Sequence, residues 1–158
     1  DDFTFIALQL DPRWYNLQKI FCYDVKSQIP LVEPTAVACE QFLLAQGFSE
    51  TKAMQVKLIV FEFFTNIVKH GLKDAANEFI LIEVDCTRKT DISITFRDRA
   101  KAWKLPPRES SFENFFDALN LEAATSGRGM QMIYAITRNH SRKRYHLVNE
   151  TTFILDSE

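Results

Sequence analysis

The feature of this sequence that most constrains its fold is an apolar stretch near the middle of the chain, LIVFEFFTNIVKHG at residues 58–71. Apolar residues occur on almost every side of the helix that this stretch predicts, and such a helix is buried over most of its surface. Glu62 and Asn66 interrupt the pattern four residues apart, which puts them on one face. A carboxylate and an amide are costly there unless they are paired. They are satisfied either by another part of the protein or by a bound ion and ligand.

The rest of the chain alternates between strand-like and helix-like patterns, with Pro, Gly and polar residues between them. The predicted elements are strands at 1–10 and 17–25, helices at 34–46 and 50–70, strands at 78–86 and 91–98, a helix at 126–137, and strands at 142–148 and 151–155. This order predicts an α+β fold, a two-layer sandwich with helices on one face of a mixed, mostly antiparallel sheet.

A carboxylate occurs at the end of the strand predicted at 91–98. The apolar residues at every second position of this strand share one face, and Asp98 points to the same side. The short connection from the strand at 78–86 predicts an antiparallel hairpin. Asp98 is therefore expected on the face that the helices cover.

Composition limits the classes of function. The chain has 158 residues, 46% of them hydrophobic, and fits one globular domain. A formal net charge of −2 argues against a nucleic-acid partner bound by phosphate neutralisation. No apolar run approaches the ~20 residues that cross a bilayer, so no membrane partner is expected. The three scattered cysteines are typical of reduced thiols in a cytoplasmic protein.

The segment at 99–126 has no clear periodicity and predicts a lid or binding loop. Its phenylalanines at 112–116 favour packing in the core or lid, with contact to a partner as the second interpretation. The turn Ser126-Gly127-Arg128-Gly129-Met130 then begins a helix.

Three separated pieces each suit a part of a nucleotide. The amide oxygen of Asn66 suits Mg²⁺, which keeps waters and shares phosphate oxygens. The carboxylate of Asp98 can accept a hydrogen bond from the exocyclic amine of adenine. A turn such as Gly127 to Gly129 at a helix start presents N–H groups to phosphate. The chain has no G-x-x-x-x-G-K-[ST] sequence, so it is not a P-loop protein.

These pieces resemble the motifs of the Bergerat-fold ATPases, which include gyrase, histidine kinases and the anti-sigma-factor serine kinases. Glu62-x-x-x-Asn66 in EFFTNIVKHG looks like the N-box, Asp98 begins a first glycine box, and Ser126 to Met130 resembles a second one. The resemblance spans roughly residues 17–155, implies the Bergerat ATP-binding fold, and is closest to the short anti-sigma kinase branch. The Asn-x-x-Lys-His ending of the N-box and the compact second box favour that branch.

The resemblance also implies a role for each matching residue, with ATP and Mg²⁺ as cofactors. Glu62 orients or deprotonates an attacking hydroxyl, and Asn66 is the Mg²⁺ ligand. The implied nucleotide-binding residues are Asp98 and Thr152 at adenine, Gly127, Arg128, Gly129 and Met130 at the phosphates, Lys69 or His70 at the phosphate end, and Ala100 in the first box. Ala100 replaces the glycine that this box usually has, which favours a less close approach of the backbone to the nucleotide.

The implied function is an ATP-dependent serine/threonine kinase of anti-sigma type, acting on an anti-sigma antagonist protein in the cytoplasm. A sigma factor is a further candidate partner, and the family's tendency favours a homodimer. The alternative is a non-catalytic nucleotide-sensing or docking module. A histidine kinase core is a poorer match, since the longer lid and extra boxes of that branch are missing.

The first residues carry a second, shorter resemblance. DDFTFIALQL at 1–10 looks like the last strand of a metal-dependent serine/threonine phosphatase, and the chain begins without Met. We expect residues 1–16 to be the remnant strand and linker of a preceding phosphatase domain, and residues 17–158 to be the ATPase domain. Asp1 and Asp2 cannot build a metal site by themselves.

Each motif taken singly has a structural explanation. Glu62 and Asn66 could satisfy each other, Asp98 could be a turn residue, and the glycines an ordinary turn before a helix. His70 suits a helix C-terminus, where its charge complements the dipole. The basic run at 138–146 favours a solvated hairpin face, with a docking patch for an acidic partner as the minority interpretation.

Overall fold

A computed structural model describes residues 19–72, 78–88, 90–101, 104–108 and 128–157 of the chain. Its main elements are β1 (Ile20–Lys26), α1 (Val32–Ala45), α2 (Glu50–Asn66), β2 (Phe79–Asp85), β3 (Asp91–Asp98), α3 (Arg128–Ile136), β4 (Asn139–Tyr145) and β5 (Val148–Asp156). The predicted α+β class is confirmed. The strand expected at 1–10 and the Phe-rich segment at 112–116 lie outside the described residues.

The described strands form one sheet in the order β1-β2-β3-β5-β4. Every neighbouring pair in it is antiparallel, so the expectation of a mixed sheet is wrong for this part of the chain. The reason is that two hairpins, β2–β3 and β4–β5, join through the pairing of β3 with β5. That pairing leaves β4 at one edge of the described sheet and β1 at the other.

One face of the sheet forms the core under the helices. The alternation predicted for β2 and β3 is confirmed, because every second residue from Ile80 and from Ile92 is buried. Phe63 of α2 packs edge-on against Phe96 and Phe153, with ring centroids 4.8 and 4.9 Å apart. On the opposite face of the sheet, Arg97 binds both Glu83 and Glu150.

The boundaries of α2 follow from local chemistry. Ser49 caps its start by accepting a hydrogen bond from the Lys52 N–H at 3.3 Å. Gly47, which ends the preceding helix, has a φ of +85°, a left-handed conformation that favours glycine. Regular α2 ends at Asn66, and residues Ile67–Gly71 continue it as a wider turn in which the Leu72 N–H donates to the Ile67 carbonyl at 2.8 Å. Such π turns are frequent at functional sites.

The closing hairpin differs from the prediction. The expected break at 149–150 lies instead at His146 and Leu147, so Asn149 belongs to β5. His146 adopts a φ of +53° in this tight turn. The sequence pattern missed the boundary because β4 is an exposed edge strand whose basic residues give no apolar alternation.

Among the described residues, no helix combines the length and the apolar character needed to cross a membrane.

Candidate functional site

Asp98 lies at the end of β3 with only 1% of its surface exposed, on the helix-covered face as expected. Its Oδ1 accepts hydrogen bonds from the Ala100 N–H and from Asn149 Nδ2, both at 2.8 Å. Its Oδ2 is buried and, among the described residues, has no hydrogen-bond donor. A buried carboxylate oxygen without a donor is unfavourable. A ligand N–H, such as an exocyclic amine, would satisfy it.

Two residues for which the sequence predicted no role at Asp98 hold the turn that follows it. Asn149 Nδ2 also donates to the Ala100 carbonyl at 2.9 Å. Arg144 Nη1 donates to the same carbonyl at 2.9 Å and to Asn149 Oδ1 at 2.6 Å. Asn149 thereby receives a fixed orientation, and it points its own N–H at Asp98.

Ala100 occupies the place of the usual glycine without backbone strain. Its side chain is 1% exposed, and its φ is not in the left-handed region. Its N–H and its carbonyl are both hydrogen bonded within the network of Asp98 and Asn149. An alanine is therefore compatible with this turn.

Thr152 does not lie beside Asp98, which corrects its expected role. It faces the opposite side of the sheet, where its hydroxyl pairs with that of Thr95 at 2.9 Å. The physical reason is the period of two along β5: the buried residues of this strand are Asn149, Thr151, Phe153 and Leu155. Asn149, directly opposite Asp98 in the register, provides the hydrogen bond instead.

Glu62 and Gly129 are brought together, although 67 positions separate them in the chain. A Cβ atom on Gly129 would overlap Oε2 of Glu62 and lie 3.0 Å from its Cδ. The start of α3 thus approaches the Glu62 carboxylate closely only because residue 129 has no side chain. Burial raises the pKa of Glu62, and the charge of nearby Lys69 partly opposes that rise. A half-buried carboxylate with a raised pKa is suited to accept a proton.

The remaining N-box residues continue along the end of α2. Asn66 is half-buried one turn beyond Glu62, as the spacing predicted, and Lys69 and His70 are exposed. Lys69 lies within the electrostatic reach of Glu62. Within the part of the chain that the structure describes, no corresponding interaction places His70 in the site.

At the second glycine box the structure describes Gly129 and Met130 fully. Met130 is 4% exposed and packs into the core, so its side chain does not line an open site. Arg128 is the first residue of α3. Gly127 lies outside the described residues.

The described residues contain no group of three or more His, Cys, Asp or Glu side chains that could hold a metal ion. Mg²⁺ in nucleotide sites is commonly held by one or two protein groups together with substrate phosphates and waters. Asn66, half-buried on the same helix face as Glu62, is a suitable oxygen donor for such an ion.

A signal for Asn149 was present in the sequence. Counting back by two from Leu155 and Phe153 reaches Thr151 and Asn149, so a continuous strand would have placed Asn149 on the face of Asp98. Arg144 had no such signal, because its contact with Ala100 depends on the pairing of β4 with β5.

Comparison with known proteins identifies the family and the fold. The family model of the histidine kinase-like ATPase domain matches residues 27–155. A chain in the crystal structure of the SiaB–SiaC complex from Pseudomonas aeruginosa has a similar fold, with a TM-score of 0.59 and 18% sequence identity. The similarity covers 94% of this chain and 99% of that one. Comparison with curated proteins gives no match. The chain belongs to the histidine kinase-like ATPase domain family and has the Bergerat fold.

Proposed function

We propose that this domain binds ATP with Mg²⁺ and transfers the γ-phosphoryl group to a serine or threonine of a partner protein. The observation that carries the proposal is the buried Asp98 Oδ2, which has no donor among the described residues. Its Oδ1 is fixed by two donors, so the free oxygen has a defined direction. An adenine amine is a donor of the required kind.

Glu62 would accept the proton in the transfer. The hydroxyl oxygen of the partner forms a bond to the γ-phosphorus while its proton passes to Glu62. The bond from the γ-phosphorus to the bridging oxygen breaks, and the electron pair leaves with ADP. The raised pKa of Glu62 favours this role, and Lys69 contributes positive charge beside it.

The other roles follow the geometry of the chain. Asn66 would hold Mg²⁺, which supplies charge neutralisation at the phosphates when bound. Gly129 would let the proposed phosphate-binding turn at the start of α3 lie against Glu62, because a side chain there would overlap the carboxylate. Gly127 and Arg128 complete the proposed phosphate-binding turn, as their position in the sequence suggests.

We further propose that the acceptor is an anti-sigma antagonist protein, as in the anti-sigma kinase branch that the N-box resembles. A fold shared with a chain of a two-protein complex, SiaB–SiaC, supports a protein as the partner. A sigma factor as a second partner, a preceding phosphatase domain contributing residues 1–16, a homodimer and a cytoplasmic location remain parts of the same proposal.

The transfer is tested with labelled ATP, Mg²⁺ and a candidate antagonist protein. Wild-type protein should label a serine or threonine of the antagonist. Glu62→Gln should lower the rate by about a hundredfold or more because it removes the proton acceptor. Its ATP affinity, measured by calorimetry, should stay within about threefold of wild type, because Asp98 and its partners are unchanged. Full transfer by this variant would disprove the assigned role of Glu62.

The alternative function is a nucleotide-sensing or docking module that regulates a fused serine phosphatase without transferring phosphate. The observation that favours it is Ala100 in place of the usual glycine. Calorimetry with ATP and ADP separates the possibilities. Absence of binding at millimolar nucleotide would leave only docking. Binding without transfer to any antagonist would favour nucleotide sensing.

A further inference from the structure

A basic cavity lies beside the turn that holds Asp98. Its volume is about 430 Å³. The residues that line it are Lys104, Leu105, His140, Ser141, Arg142, Lys143, Arg144 and Asn149. Four of these eight side chains are lysine or arginine, although the whole chain has a formal net charge of −2. The positive charge is therefore concentrated locally, on edge strand β4 and the segment that faces it.

The cations of this cavity are held close together at an electrostatic cost. Burial lowers the pKa of Arg142, and neighbouring Arg144 lowers it further, while Asp98 acts in the opposite direction. Burial and the charge of Arg108 likewise lower the pKa of His140. Like charges gathered in a concave, partly desolvated place are stabilised when an anion joins them.

Among the described residues, the carboxylate opposite Lys143 is already engaged with another cation. Glu150 lies opposite Lys143 in the register, but its Oε2 binds Arg97 at 2.8 Å. Arg144 donates to two neutral acceptors, the Ala100 carbonyl and the Asn149 amide oxygen. Lys104 and Lys143 are exposed. Negative charge from outside the domain would therefore meet the exposed Lys104 and Lys143 here.

Apolar side chains continue the same edge of the sheet. Tyr145, at the end of β4, is 55% exposed, and Leu147 in the following turn is 71% exposed. Arginine and tyrosine are enriched where proteins bind proteins, and buried tyrosine and arginine contacts contribute much of the affinity. This mixture of cations and exposed apolar groups fits a polypeptide with acidic and apolar residues better than a small anion.

We infer that β4 and Lys104 form a docking surface for an acidic, extended segment of a protein partner, whose carboxylates enter the basic cavity and whose apolar residues cover Tyr145 and Leu147. The inference rests on the proposed function only in identifying that partner with the phosphoryl acceptor. Arg144 and Asn149 belong both to the cavity and to the network around Asp98, so a docked segment would lie next to the proposed adenine site.

The test uses a short fluorescein-labelled peptide of alternating Glu and Leu, with a Gln–Leu peptide as the uncharged comparison. Binding is measured by fluorescence anisotropy at low and high salt. Lys104→Glu combined with Lys143→Glu should lower the affinity for the acidic peptide by about tenfold or more, because attraction between opposite charges becomes repulsion between like charges. Lys19→Glu combined with Lys26→Glu makes the same charge change near the opposite edge strand and should alter the affinity by less than about twofold.

Several outcomes would overturn the docking surface. One is that both double variants lower the affinity for the acidic peptide equally. Another is that the Gln–Leu peptide binds as tightly as the acidic peptide. A third is that millimolar inorganic phosphate displaces the acidic peptide fully. Unchanged affinity together with aggregation of the Lys104 and Lys143 variant would mean that these lysines only protect an exposed edge strand.

Nucleotide separates this inference from the proposed function. Saturating ADP should leave the affinity for the acidic peptide unchanged, and competition would assign the cavity to the nucleotide instead. Asp98→Asn should retain peptide binding even though it removes the proposed adenine acceptor. Failure of ATP binding in wild type would therefore disprove the proposed function without affecting the peptide result.

Discussion

At the scale of single residues, the Asp98 carboxylate is held through one oxygen, and the other has no donor among the described residues. Asn149 and the Ala100 N–H fix Oδ1, and Arg144 fixes Asn149 in turn. Because the donors are supplied by the turn and by β5, the direction of the open oxygen is set before any ligand arrives. Such preorganisation lowers the free-energy cost of binding.

Replacing Asn149 with alanine tests this arrangement. Loss of the hydrogen bond to Asp98 should weaken ATP binding by about tenfold, equivalent to ~1.4 kcal/mol. It should also lower the free energy of unfolding by ~1–3 kcal/mol, because buried polar groups lose a partner. Thr152→Val is the matched control, since Thr152 lies on the other face. A larger loss of affinity in the Thr152 variant than in the Asn149 variant would contradict the assignment; calorimetry and urea unfolding provide the measurements.

The raised pKa of Glu62 has a consequence for stability. The unfolded chain ionises Glu62 near its ordinary pKa of 4.5, whereas burial raises the pKa in the folded state. Folding therefore favours the protonated form, and the contribution of Glu62 to stability is complete below pH 4.5 and is lost as pH rises through the raised pKa.

Glu62→Gln, which stays neutral, should be more stable than wild type at pH 7 and should lose that advantage near pH 4. Thermal unfolding across this range measures the difference. Exposed Glu33→Gln is the control and should follow wild type. A stability difference for Glu62→Gln that does not change with pH would show that ionisation of Glu62 is not the cause.

At the scale of elements, two sides of helix α2 have different roles. Its buried side packs on the sheet through Phe63, which contacts Phe96 and Phe153. Another side carries Glu62, which lies against the start of α3, and Asn66, which is half-buried one turn further on. The position of the proposed catalytic side chain thus depends on the packing of the helix that carries it.

Two phenylalanines of α2 make a matched pair for testing this packing. Phe63 is fully buried, and Phe61 is 40% exposed. Phe63→Ala should lower the free energy of unfolding by ~3–5 kcal/mol because it leaves a cavity in the core. Phe61→Ala should cost less than about 1 kcal/mol. Equal losses in chemical denaturation would mean that the core is not centred on the buried side of α2.

At the scale of the whole molecule, the described elements share one core. The reactivity of Cys39 can be used to detect opening of that core. Cys39 is fully buried in α1, and burial raises its pKa to about 12. Cys22 of β1 is exposed. The thiolate is the reactive form, so a buried thiol with a raised pKa reacts only when the structure opens.

A thiol reagent should therefore modify Cys22 rapidly. The rate of modification of Cys39 should be limited by the rate of unfolding or by the fraction of molecules that are unfolded. Saturating ATP should slow the modification of Cys39, because a ligand that binds only the folded state stabilises it. Mass spectrometry of quenched samples follows each site. Equally fast modification of Cys39 and Cys22 would disprove the common core. Cys22→Ser combined with Cys86→Ser leaves Cys39 as the single thiol for comparison.

The sequence by itself determined the elements whose patterns are regular and local. The period of two in β3 placed Asp98 on the buried face, and the spacing of four placed Glu62 and Asn66 together on α2. These relations depend only on backbone geometry within one element. The N-box and the glycine turn also led to the family, which the match over residues 27–155 confirms.

Only the tertiary structure decided which distant residues complete the site. The register of β5 against β3 places Asn149, not Thr152, beside Asp98, because a shift of one residue turns every side chain to the other face. The packing of α3 on α2 brings Gly129 to Glu62, and the edge position of β4 gathers its cations in one cavity. Pairing and packing between elements set these contacts, and neither has a period that the sequence displays.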